Sequence, residues 1–203
     1  MNRNPDDRRI KRTKKALKQS LLKLLREKEI NQISIQELTE EADMNRATFY
    51  LHYRDIYDML QQIEDEAAME ISMILQQHLP NEKDGQPYQL FVALLRYIQE
   101  DAQLCQVMLT KNRNQNFIDR MCGIVEEYCL HSWLSQYYQA GIGQKVAYFS
   151  TYAVRGFLAV VAKWMYSGMQ ESPEKMAELM SDMGTYGLRF LDMAPAVPDQ
   201  AKR

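Results

Sequence analysis

Several kinds of chemistry are missing from this 203-residue chain. It has three cysteines, Cys105, Cys122 and Cys129, and no CxxC pair among them. An odd count excludes a complete disulfide framework. Cys122 and Cys129 are seven residues apart on one predicted helix, roughly 10 Å along its axis, too far to bridge. Cys129 and His131 point to different sides of that helix and make a poor metal pair. Buried free thiols in a reducing cytosol are the expectation, with a redox sensor as the weaker alternative. Three histidines, no Gly-rich phosphate loop and no Ser/His/Asp grouping argue against an enzyme, a cofactor or a metal site. The longest apolar run, Phe157 to Ala162, cannot span a bilayer, and the N-terminus carries no apolar signal region. The expectation is a cytoplasmic protein without a membrane partner. No alternating strand pattern and no internal repeat occur either.

What is present is helical periodicity. Leu17, Leu21, Leu24 and Leu25 make one stripe of a helix over about Thr13–Lys28, with Lys14, Lys15, Lys18 and Lys23 opposite. A long helix is predicted over about Asp55–His78, and others over Tyr88–Ala102, Asn116–Tyr138, Gln144–Met169 and Pro173–Leu191. A short segment lies around Leu104–Leu109. Pro80 to Pro87 reads as a linker, Ser172-Pro173 as a helix start, and the tail from Pro195 as disordered. The fold class is all-α, with about nine helices.

Net charge is −2, but it is unevenly placed. Residues 1–54 carry a net of +5 and residues 55–203 a net of −7. A basic head on an acidic body suits docking of the head alone on a polyanion. Within that head, residues 34–59 read as a short helix, a tight turn and a second short helix. Ser34 and Glu37 have capping-box spacing, and Ile33 and Leu38 that of a hydrophobic staple. Ile35, Leu38 and Ala42 share a face. Asn45 caps the next helix, which offers Ala47, Thr48, Tyr50 and His52. Two helices joined by about three to four residues, the second rich in polar side chains, follow the helix-turn-helix plan.

Ala47-Thr-Phe-Tyr-Leu-His-Tyr53 and the following Ile56–Leu60 resemble the Thr-x-Tyr-x-His-Phe element of the TetR/AcrR family of transcriptional regulators. A weaker likeness runs through Gly156–Trp164 and Ser172–Lys175. The N-terminal match covers roughly residues 10–60; the rest agrees in helix count and order. The resemblance implies a three-helix DNA-binding head over residues 1–56 and a ligand-sensing, dimerising body over 57–203. The implied partners are double-stranded DNA carrying a palindromic operator, a second copy of the chain, and a small-molecule effector. The implied function is a repressor released from its operator by that effector. A same-fold regulator, including an activator, that answers to a protein partner is the alternative. An enzyme and a scaffold that has lost DNA binding are weaker ones.

On this reading Asn45 and Arg46 open the recognition helix, where Arg46 can grip a guanine edge. Thr48, Tyr50 and His52 suit phosphate oxygens and groove edges. Ser34, Lys14 and Arg54 join the DNA-binding set, and the Arg8–Arg12 cluster adds salt-sensitive attraction. Phe49 and Tyr53 are expected in the core, and Leu51 touches a thymine methyl if exposed. The family often has a Lys at the start of the fourth helix; here Ile56 stands there. Either Arg54 or the helix N-terminus supplies that charge. Tyr97, Met108, Phe117, Met121, Trp133 and Tyr152 are candidate effector-pocket residues. The thirteen methionines fit an adaptable cavity or ordinary gap filling. Gly156, Trp164, Met176, Met180 and Met183 are candidates for the dimer seam of the last two helices.

Overall fold

Leucine spacing decides the first element. The computed structural model describes residues 5–78, 87–111, 115–131 and 143–192. Helix α1 is Pro5–Leu25, two turns longer at its N-terminus than the leucine stripe alone predicts. Pro5 suits the first helical position. Then follow α2 (Ile35–Glu41), α3 (Arg46–Tyr50), α4 (Ile56–Gln77), α5 (Tyr88–Glu100) and α6 (Ala102–Gln106). A π-helical turn, Val107–Lys111, follows α6. The chain continues with α7 (Gln115–His131), α8 (Gly143–Tyr166) and α9 (Pro173–Asp192). The described residues form no strand, and the all-α expectation holds. The expected linker at 80–86, the stretch 132–142 with Trp133, and the tail from Pro195 lie outside the described residues.

The chain divides into two compact units. Unit one comprises Met1–Ser72 with Asp101–Asp119; unit two comprises Met73–Glu100 with Arg120–Arg203. In unit one, Leu17, Leu21 and Leu38 are wholly buried beside Phe49 and Met59, so α1, α2, α3 and the start of α4 close over one core. Ile33 and Leu38 are both buried, as a staple requires. The segment after α5 is tied to α1 by Lys18 Nζ on Asp101 Oδ2 (2.7 Å) and by Arg26 Nη2 donating to Gln106 Oε1 (3.0 Å). Burial pushes the Cys105 thiol up to about 12, as an inert core thiol.

In unit two, α9 lies along α5 and contacts α8. Phe91 and Phe157 meet edge to face at 5.0 Å, and Val146 and Ala177 are fully buried. The α8–α9 turn places Gly168 at φ +82° and Met169 at φ +52°, with the Met169 amide donating to Trp164 O (2.9 Å). Trp164 Nε1 donates to Glu171 O across the same turn (2.9 Å), which satisfies the indole while burying its ring. Pro173 opens α9 after Ser172, as the dipeptide predicts.

Candidate nucleic-acid interface

Side-chain caps open both helices of the pair, α2 and α3. Ser34 Oγ accepts from the Glu37 amide (3.1 Å), and the Glu37 carboxylate is taken by Lys28. At the far end of α2, Asp43 adopts φ +52° and the Met44 amide donates back to Thr39 O (2.8 Å). This is a left-handed helix stop of the Schellman type, built on Asp instead of the usual Gly. Asn45 Oδ1 then accepts from both the amide (2.8 Å) and the hydroxyl (3.0 Å) of Thr48. Thr48 is thereby spent partly on the cap.

The five residues of α3 are fastened by Phe49, which is fully buried and packs edge-on against Tyr50 (5.6 Å, 82°) and beside Tyr53 (5.6 Å). That single anchor turns the remaining side chains outward. Asn45, Arg46 and Ala47 are exposed, Tyr50 is 58% exposed and Leu51 79%. His52 is half-buried, with its ring beside Tyr53. Arg46 Nη2 donates to Gln36 Oε1 of α2, and Gln36 Nε2 donates to Glu40 Oε1 (2.8 Å). Sequence reasoning missed Gln36, because a pairing across ten residues and a turn leaves no local signal.

Ile56 is buried in unit one, so the position where a Lys is common in the resembled family serves the core here. Arg54 is the neighbouring cation, and its side chain is 87% exposed. It is tied to Asp58, whose carboxylate accepts from the Arg54 amide (2.9 Å) and guanidinium (3.1 Å). The backbone amide first, and then the guanidinium, hold the Asp58 carboxyl below its ordinary range. Asp55 Oδ1 caps α4 through the Asp58 amide (2.8 Å). Lys14 Nζ lies 5.5 Å from the centre of the Tyr53 ring, a cation–π contact. Burial, then Glu66 and Asp58, push the Tyr53 hydroxyl up to about 12. Nearby, Arg8, Arg9 and Arg12 line an open groove of about 500 Å³ with Thr13, Ala16 and Met44.

The other candidate residues are more dispersed. Met108 and Phe117 are buried in unit one; Met121 is buried and Tyr97 half-buried in unit two. Tyr152 is 74% exposed on α8. Of the residues expected at a dimer seam, Trp164 (2% exposed), Met176 and Met180 are buried inside their own unit. Trp164 lies on α8, and Met176 and Met180 lie on α9, which packs on α5 and α8. Gly156 and Met183 do face outward, and a Cβ added at Gly156 would meet nothing within 4 Å. Tyr148, Tyr152 and Tyr166 on α8, and Leu179, Met183 and Tyr186 on α9, are the exposed large apolar residues of these two helices among the described residues.

Residues 85–186 match the TetR-type family model described as a transcriptional regulator C-terminal region. A 66-residue stretch is 38% identical to an uncharacterized HTH-type transcriptional regulator, YxbF, of Bacillus subtilis (strain 168). That stretch is 32% of this chain and only 17% of YxbF. Among solved structures, the dihydroxyacetone kinase operon activator DhaS aligns over 88% of this chain and 97% of its own, at 17% identity and a TM-score of 0.56. The transcriptional regulator FadR from Bacillus subtilis, in complex with stearoyl-CoA, aligns over 85% and 97% at 12% identity, with a TM-score of 0.62. At such identities the likeness is one of fold.

Proposed function

This chain belongs to the TetR family of transcriptional regulators, and from that premise we propose that it is a dimeric repressor released from a palindromic operator by a small-molecule effector. The observation that carries the DNA-reading part is α3. Its one apolar anchor, Phe49, is buried, while Arg46, Tyr50 and Leu51 are presented to solvent immediately after a doubly capped turn. Arg46 supplies a guanidinium for a guanine edge, Leu51 an apolar contact for a thymine methyl, and Tyr50 a hydroxyl for phosphate or groove edge. Residues 1–56 are the DNA-binding segment on this reading, with Lys14, Arg54 and the Arg8–Arg12 groove adding backbone attraction. Residues 57–203 sense the effector and dimerise.

The dimer seam moves from the buried residues to the exposed ones. Tyr148, Tyr152, Gly156, Ala159 and Tyr166 recur at helical spacing on α8, and Leu179, Met183 and Tyr186 on α9. A second copy covers this face. Bare Gly156 leaves room for a helix to approach closely, and exposed Lys145 and Lys163 on α8 oppose exposed Glu178 and Asp182 on α9. Release follows if an effector shifts α4, whose N-terminal end adjoins the recognition helix, so that the head-to-head spacing no longer fits the operator. Effector and operator then weaken each other's binding by the same factor. FadR, whose structure holds stearoyl-CoA, makes an apolar acyl effector a sensible first probe.

The deciding experiment captures genomic DNA fragments with the purified protein, sequences them and repeats the capture at rising salt. Enrichment of one palindromic site supports the reading. Diffuse binding that vanishes steeply with salt overturns specific readout. DhaS, a structural neighbour named as an operon activator, favours testing the other sign. Transcription from the captured promoter rising with added protein would make this chain an activator.

A further inference from the structure

Gln36 occupies a position between two charged side chains that fixes its chemistry. The Arg46 guanidinium can only donate hydrogen bonds, and the Glu40 carboxylate can only accept them. Gln36 accepts from the first through Oε1 and donates to the second through Nε2. Only one of the two amide orientations satisfies both neighbours, so the carbonyl must face α3. Gln36 and Glu40 are one turn apart on α2, whose fold is anchored by wholly buried Leu38 and by Thr39. The Arg46 side chain is thus tethered to a rigid element other than its own, despite its exposure on the first turn of α3. A free arginine must lose its rotamer freedom on meeting DNA; a tethered one has lost part of it already. Four of its five N–H donors remain for a partner.

Resting on the recognition-helix reading, we infer that Gln36 is a positioning residue that sets the base preference of Arg46. Gln36 selects the direction in which the guanidinium fork leaves α3, and hence which base pair of the half-site it reads. The bond is made through one donor, and the base is read through the others. Glu40 acts one step further out by holding the Gln36 amide in register.

The test measures binding of the full-length protein to its captured operator and to variants with each base pair changed, at two salt concentrations. Arg46→Ala removes the reader; Gln36→Met keeps the length of the tether and removes its acceptor; Gln36→Glu keeps an acceptor toward Arg46. The expected result is that Q36M lowers discrimination at one base pair per half-site by about tenfold, the order a bidentate base contact contributes. R46A lowers it at the same base pair, Q36M adds nothing further in the R46A background, and Q36E retains the preference. The salt slope and thermal midpoint of Q36M stay at the parent values, which a merely structural role would not predict. Loss of the preference in R46A but full retention in Q36M overturns the inference and leaves the recognition helix standing. Retention in R46A itself overturns the recognition-helix reading beneath it.

Discussion

Asn45 holds two interactions with one oxygen, and the consequences of losing it can be separated. Its Oδ1 accepts the Thr48 amide at 2.8 Å and the Thr48 hydroxyl at 3.0 Å. Asn45→Ala leaves both donors to water, at a cost of about 1 kcal/mol for the lost cap. Thermal or denaturant unfolding should show that loss. Asn45→Asp, which retains an acceptor, should return most of the stability while weakening DNA binding, because it sets a negative charge among groups offered to phosphate. Equal affinity of N45D and the parent for operator DNA would remove Asn45 from the interface. By contrast Phe49→Ala should cost about 3–5 kcal/mol, the range for emptying a fully buried aromatic site, and no operator binding should survive it.

The start of α4 pairs its neighbouring cation within one helical turn. Arg54 leans back on Asp58, so its charge is partly answered inside the protein before any DNA arrives. The folded-state carboxyl of Asp58 is depressed, so the pairing is present above the ordinary carboxylate range and is lost only as pH falls through that lowered value. Between pH 5 and 8 this pair therefore gives operator binding no pH dependence. Asp58→Asn should release Arg54 toward the phosphates and remove a repelling charge. Affinity should rise for specific and non-specific DNA alike, and the salt slope should steepen by about one phosphate contact per protomer. A filter-binding series over salt checks this, and an unchanged slope would mean that Arg54 never reaches the backbone. The caps of this region were legible in the sequence, because Ser34 and Asn45 each accept from an amide three residues away. The left-handed stop at Asp43 was not, since Gly is the expected residue there. Nor was the extension of α1 to Pro5, which lies beyond the leucine stripe.

Across the whole molecule, the all-α plan was readable from periodicity, but the inward face of α8 was not. That helix is apolar nearly all round, with Val146 and Phe149 buried and Tyr148 and Tyr152 exposed only one to three residues away. Spacing alone cannot choose between such faces; packing against α9 does. The outward aromatic face then predicts the oligomer. A specific two-fold interface covers about 800 Å² on each partner, which three tyrosines with Leu179 and Met183 can largely supply. Tyr152→Asp combined with Met183→Asp should halve the mass seen in sedimentation velocity. Both positions are exposed in the protomer, so its helix content should remain and each protomer should still fold. Operator affinity should fall steeply, because two tethered half-site contacts become one, while weak non-specific binding to DNA persists. Trp164→Ala serves as the contrast: it empties a buried site, and its loss of operator binding should come with unfolding. If the double charge variant stays dimeric and binds operator normally, the seam lies elsewhere. If it becomes monomeric yet binds the palindrome as tightly as the parent, two-fold pairing is not what gives this regulator its affinity.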